Sequence, residues 1–464
     1  MKNKGTITPA LLIVTGAFIV VIYGLIYVLT TQLDFSHRQV GSEMAIDIAE
    51  AGANYYRWHL AHAPADFKDG TGNPGPYVHS YKDPEGAEIG KYSLDITAPV
   101  NGSSIVKIKS TGWSDRYPTI KRTIVAQYGK PSFAKYLFLS NASSWYGSGI
   151  TVNGAVHSNN GIRMDGVNNS IVESAVATYT CGTETGCSPS KTMPGVWGSG
   201  PNSNLWQFPV TSVDFNSVSV DFANMKTAAQ SSGLYLGPSG ALGYHLIFAA
   251  NGTFTVKKVT ATSSIYSYLP NGGVGANDLG GCRRRNETIS TEQTIGTYNV
   301  SDKPIIFSED YLWVEGVVNG RTEVVAAGFP VQTSHIDIWI PNNITYPALD
   351  GTSVLGLIAQ NDIIYTRNIP TNFIIDAVLM AQGGQVIRGD YAAWCQGTST
   401  GAVKNSLTIN GALISYNKSY WNFNSPPESG FTTRTINYDP NILYAPPPYF
   451  PTSSSYQFIS WSEQ

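Results

Sequence analysis

From Gly5 to Leu33 no position carries a charged side chain, and residues 9–31 are apolar almost throughout. As a helix this stretch would rise roughly 35 Å, enough to cross a bilayer core of about 30 Å. The pattern then changes without breaking. Val40, Met44, Ile48, Tyr55 and Leu60 keep a helical spacing, and no proline follows Pro9 until Pro64. Gly41, Ala45, Ala49 and Ala53 recur every four positions, a smooth stripe on which another helix can approach closely, the alternative being that it packs on the chain's own domain. One long helix is expected, an apolar transmembrane part at 9–33 and an amphipathic extension at 34–62.

Residues 63–88 are rich in Pro, Gly and Asp and predict a loop. Strands are expected at 92–97, 104–110 and 119–128. In the second, Lys107 and Lys109 alternate with Val106 and Ile108, the period of a half-buried strand. Residues 63–131 thus predict a small antiparallel β unit on the helix. Beyond Phe133 the sequence repeats itself. Ile150-Thr-Val-Asn-Gly-Ala-Val156 returns as Leu407-Thr-Ile-Asn-Gly-Ala-Leu413, with looser copies at Leu312–Val318 and Phe373–Leu379. Alternation ending at a small residue suits one strand of a coil that turns there, and stacked coils bury their apolar sides against one another. The fold class expected is mainly β with a long N-terminal α-helix, and the 132–464 domain is β-helix-like, with a β-sandwich as the alternative. An insertion is expected at about 180–300, containing a helix at 218–230 and a hairpin turning at Asn251-Gly252. A proline-rich C-terminal strap follows Tyr438.

Lys2 and Lys4 precede the apolar stretch in a basic leader of residues 1–8, and Asp34 follows it. The positive-inside rule leaves the N-terminus in the cytoplasm and the bulk of the chain outside, a single-pass arrangement. A cleaved signal peptide would have a shorter apolar core ending at a small-residue site. The Lys-rich leader ending in Gly5, the apolar helix and Met44-Ala-Ile-Asp-Ile-Ala-Glu-Ala-Gly52 resemble type IV pilin-like proteins, in particular PilX-type minor pilins. That resemblance implies prepilin-peptidase cleavage between Gly5 and Thr6, and contacts with other pilin-like subunits through the helix. Ala10 stands at the fifth position after that cut, where pilins commonly hold glutamate. Gly154–Asn159, Gly243–Phe248, Leu355–Ala359, Asp376–Ala381 and Ile459–Trp461 resemble uncharacterised β-rich domains that follow PilX-like helices in bacterial envelope proteins. This implies a role in assembly at the cell surface, and no reaction.

Net charge is −3 over 464 residues without a long run of one sign, which argues against a nucleic-acid footprint. The four cysteines, Cys181, Cys187, Cys282 and Cys395, lack zinc-finger spacing, and an even count in an exported chain predicts two disulfides. Of the three connectivities, Cys181–Cys187 is favoured for the flexible loop between them and Cys282–Cys395 by elimination; the alternative is four buried thiols. His59 and His62 lie three apart on the helix with no supporting carboxylate cluster, so no metal or other cofactor is expected. His157, Asn159 and the basic run Arg283, Arg284 and Arg285 are candidate contacts for a glycan or cell-surface ligand. No nucleophile elbow or P-loop appears, and no catalytic residue is assigned. The expected function is a membrane-anchored structural or adhesive surface protein. The alternative is a polysaccharide lyase or hydrolase in which coiling brings Asp362, Asp376, Asp390 and Arg388 together.

Overall fold

The computed structural model of the chain describes residues 7–99, 103–215, 221–270, 282–396, 400–424, 426–453 and 455–464. The expected cleavage site at Gly5 and Thr6 lies outside the described residues. The chain divides into two compact units: Met1–Pro99 with Ile105–Gly129 and Ser455–Gln464, and Val100–Ser104 with Lys130–Ser454.

In the first unit, helix α1 runs unbroken over 56 residues from Ile7 to His62. Its apolar first half is exposed along residues 9–40, with a mean hydropathy of 2.6 in its most apolar window, long and apolar enough to cross a membrane. From Gly41 onward one face is covered by an antiparallel sheet of β1 (Tyr77–Lys82), β2 (Glu88–Thr97), β3 (Val106–Ser114) and β4 (Arg122–Gly129). Ile48, Tyr56 and Leu60 of the helix meet Leu94, Ile108 and Ile124 of the sheet. Glycine sets the closeness of approach. A Cβ on Gly112 of β3 would sit 2.4 Å from both the Ala45 carbonyl oxygen and the Ala49 amide nitrogen. The stripe of Gly41, Ala45, Ala49 and Ala53 is therefore buried on the chain's own sheet, the second of the two uses expected of it.

Two further expectations change here. β1 lies inside the segment predicted as loop; its Val78, Ser80 and Lys82 face solvent, so its composition is that of a surface strand. The terminal strand Gln457–Glu463, expected in the second domain, pairs antiparallel with β4 and completes the first sheet. Arg122 of β4 anchors it through an ion pair with Glu463.

The second unit is a coil of parallel strands, the β-helix-like arrangement expected, and parallel pairing rules out the β-sandwich. One face stacks Val172–Ser174 on Val156–Ser158, then Phe138–Ser140, the end of Val403–Ser415, the end of Asn372–Ala381, Val354–Ala359, Arg321–Ala326, Ile305–Ser308 and Leu234–Leu236. The chain order in this ladder is telling. The segment that opens the domain, Phe138–Ser140, sits mid-stack against Leu413–Ser415. The coil thus consists of two runs, residues 138–207 and 234–438, that join where strand Gly430–Tyr438 pairs with Ile150–Asn153. The repeated motif lies in register: Phe373 opposite Leu407, Asp376 opposite Asn410, and Ala377 opposite Gly411. The repeat is the inward alternation of one face, with its small residue at the corner.

The expected insertion at 180–300 needs revision, because Val196–Trp197, Trp206–Gln207, Leu234–Leu236 and Tyr244–Ala249 all belong to the stack. What stands outside it includes the short hairpin Thr178–Cys181 and Lys191–Pro194, the helix Phe222–Ser232, whose Phe222, Met225 and Ala229 cover the first face, and the long hairpin Thr253–Tyr268 and Cys282–Asn299. The hairpin does turn from its preceding strand at Asn251-Gly252, Ala249 lying opposite Thr253. Val259 and Ile289 lay it over Trp313, Trp339, Ile364 and Ile387 on the outside of the third face.

Candidate functional site

The two runs join continuously on two faces of the coil but not on the third. There the outward row of the 234–438 run goes Trp313, Trp339, Ile364, Ile387 and ends at Tyr420, held by a single parallel bridge to Ile387. The 138–207 run resumes with Trp145, Arg163 and Trp197 opposite one another on adjacent strands. Between Tyr420 and Trp145 the ladder is interrupted, and a cleft of about 1010 Å³ opens in its place. That volume is at the top of the range for ligand sites.

Each wall has its own support. Trp145 lies on the short strand Ser144–Tyr146, whose alternation sends Tyr146 into the core against Phe138 and leaves Trp145 39% exposed. The Arg163 guanidinium is stacked 4.3 Å from the Trp145 ring and 4.8 Å from the Trp197 ring. Asp165 fixes both: it accepts from Arg163 Nε (2.7 Å), Trp145 Nε1 (2.8 Å), Ser199 N (3.0 Å) and Ser199 Oγ (3.1 Å). Desolvation raises its pKa, but the Ser199 and Trp145 hydrogen bonds and the Arg163 charge prevail and hold it below the usual carboxylate range.

Both disulfides stand at the rims. Cys181–Cys187 closes the loop whose Thr183 and Glu184 line the cleft, and Arg163 Nη1 donates to the Thr185 carbonyl at 3.2 Å. Cys282–Cys395 fastens the far end of the long hairpin, where Tyr268 lines the opposite side. These are the pairs favoured from the sequence. Lys418 spans the opening: its ammonium donates to the Glu184 carbonyl and lies 4.5 Å from the Tyr420 ring. Burial lowers the Lys418 pKa to about 8, with Glu184 opposing and Arg163 reinforcing. Arg434 donates to the Ser148 carbonyl at 2.9 Å, its Nε has no hydrogen-bond partner among the described residues, and desolvation lowers its pKa to about 10.

The sequence-predicted ligand contacts lie elsewhere. His157 is buried, its Nδ1 3.3 Å from Glu173 and its Nε2 3.2 Å from Asn159. Asn159 is committed to Asn141 and to both backbone groups of Val213. This pair ties a crossing segment onto the coil. The three arginines are divided by strand alternation: Arg284 faces out over Tyr266, whereas Arg283 and Arg285 take the other, half-buried side. His59 pairs with Asp66 at 3.0 Å and His62 with the Trp58 carbonyl at 2.8 Å.

The acidic residues of the enzymatic alternative occupy separate buried positions and do not line the cleft. Asp362 accepts from the Gln385 amide, Asp376 from Asn410 and the Tyr346 amide, and Asp390 from the Ala392 amide. Arg388 is buried over the Tyr391 and Phe431 rings. The cleft residues were missed because Trp145, Lys418 and Arg434 belong to no shared motif and meet only through the junction of two distant runs.

No family model matches the chain, and no curated protein matches it. Among solved structures, the competence-associated pilin ComZ from Thermus thermophilus aligns at 12% identity over 92% of this chain and 98% of that chain, with a TM-score of 0.32. That likeness is too loose to define a shared fold.

Proposed function

We propose that the chain is a membrane-anchored, extracytoplasmic, pilin-like structural or adhesive protein that displays the coiled domain and its cleft at the cell surface. The role is that of a minor pilin or envelope assembly component. The observation that carries this reading is the division of α1: an apolar part at 9–33 that is bare, and a later part, from Gly41, seated on an antiparallel sheet. A helix whose exposed half is this apolar requires either lipid or other helices around it. Since the small-residue stripe is already covered, contacts with pilin-like neighbours fall to the bare half. Two disulfides also suit an oxidising compartment. Mass spectrometry of the native N-terminus tests the pilin-type processing: Thr6 as the first residue supports it, and an intact Met1 contradicts it.

A second reading, a polysaccharide lyase or hydrolase, is favoured by Lys418, an amine in the cleft brought by burial to about pH 8, within the range of a general base. Its test is product formation from a panel of polysaccharides by the purified chain. Product that disappears in Lys418→Met supports the enzyme; intact polysaccharide throughout contradicts it.

A further inference from the structure

We infer that the cleft at the junction of the two runs binds an acidic glycan chain, with a sugar ring packed on Trp145 and the chain's carboxylates met by Lys418 and Arg434. The inference rests on reading this cleft as the domain's binding site, and it is independent of the helix lying in a membrane.

Three features of the cleft select this ligand. The first is size. The opening takes the place of a missing stretch of sheet, and its volume of about 1010 Å³ has room for more than one sugar ring. The second is the character of its walls. Trp145 shows a flat, partly exposed ring with the Arg163 guanidinium against it on one side, whereas Tyr420 across the gap already carries the Lys418 ammonium and Phe423, the latter stacked at 11° between planes. Aromatic faces carry negative charge density, and the C–H bonds on one side of a pyranose ring present the complementary positive edge. A peptide side chain would instead call for an enclosed apolar pocket, which rings exposed at a rim do not provide.

The third feature is charge. Arg163 and Asp165 form an ion pair and cancel each other. Glu184, Lys418 and Arg434 remain, a surplus of one positive charge, and neither Lys418 nor Arg434 forms an ion pair among the described residues. Both cations are partly desolvated, as their lowered pKa values record. A carboxylate brought to either would replace lost hydration with charge-assisted hydrogen bonds, the stronger class of such bonds. A neutral glycan would leave these cations uncompensated.

The test is calorimetric titration of the full chain in detergent micelles with three probes: hexagalacturonate, cellohexaose and hexaglutamate. Hexagalacturonate is expected to bind about tenfold or more tightly than cellohexaose, and also more tightly than hexaglutamate. Trp145→Ala and Lys418→Met should each weaken hexagalacturonate binding about tenfold. Trp145→Phe, which keeps an aromatic face, should retain most of it, and melting of each variant reports whether the fold persists. Absence of hexagalacturonate binding to the parent chain overturns the inference. So does equal binding of hexaglutamate, which would mean charge alone, or unchanged affinity in folded Trp145→Ala. Failure of the membrane-anchored reading would appear in cell fractionation and leave these titrations untouched.

Discussion

The side-chain amide of Asn153 donates to the side-chain oxygen of Asn437 at 2.7 Å, across 284 residues of sequence. The contact lies in the rung where the two runs of the coil meet. It belongs to a ladder: Asn169 donates to Asn153 (2.7 Å), Asn437 to Asn410 (2.8 Å) and Asn410 to Asp376 (2.8 Å). Asn153, Asn437 and Asn410 each donate on one side and accept on the other, so removing one of them leaves two partners unmet.

Asn437→Ala is therefore expected to destabilise the second unit by about 1–3 kcal/mol, the cost of partly buried polar groups losing their partners. Asn169→Ala, at the exposed end of the ladder, should cost less than about 1 kcal/mol. Urea unfolding followed by tryptophan fluorescence measures both.

Much of this arrangement was legible beforehand, for identifiable reasons. The helix showed itself by charge-free length, and the antiparallel strands β2 to β4 by alternation. The Asn-Gly-Ala repeat marked residues that stack in register, because each turn of a coil meets the same corner geometry. The joining of the runs was not legible. Strand Phe138–Ser140 pairs with a segment about 275 residues away, and no local pattern encodes such a partner. The cleft was hidden for the same reason. His157 and Arg283–Arg285 looked like contacts because polar clusters stand out in a sequence, whereas burial and strand alternation decide what reaches the surface.

The disulfides should contribute unequally. Cys282–Cys395 spans 113 residues and Cys181–Cys187 spans 6. Loop-closure entropy predicts about 5 kcal/mol for the first and about 2 kcal/mol for the second. Comparing Cys395→Ser/Cys282→Ser with Cys187→Ser/Cys181→Ser by urea unfolding checks the order.

Glu323 is fully buried on strand Arg321–Ala326 with both carboxylate oxygens lacking a hydrogen-bond partner among the described residues, and burial raises its pKa well above the ordinary value. The folded chain then holds a proton that the unfolded chain releases above about pH 4.5. Stability attributable to this group is full at lower pH and falls as pH rises, by up to about 1.4 kcal/mol per unit. Glu323→Gln should remove that decline: near parity with the parent at pH 4 and a clear advantage at pH 7, read from unfolding at both.

Gly112→Ala probes the seat of the helix. The added carbon meets helix backbone at 2.4 Å, which no side-chain rotation relieves. A loss of about 1–3 kcal/mol or more is expected, with faster amide exchange at residues 45–60 as α1 lifts from the sheet.

The most direct test of a helix-anchored, exported chain is to block free thiols in intact cells, wash the membranes with alkaline carbonate, and weigh the protein by mass spectrometry. The account predicts recovery in the washed membrane with all four cysteines unmodified by the blocking reagent. Recovery in the soluble cytosol with four blocked thiols would contradict it.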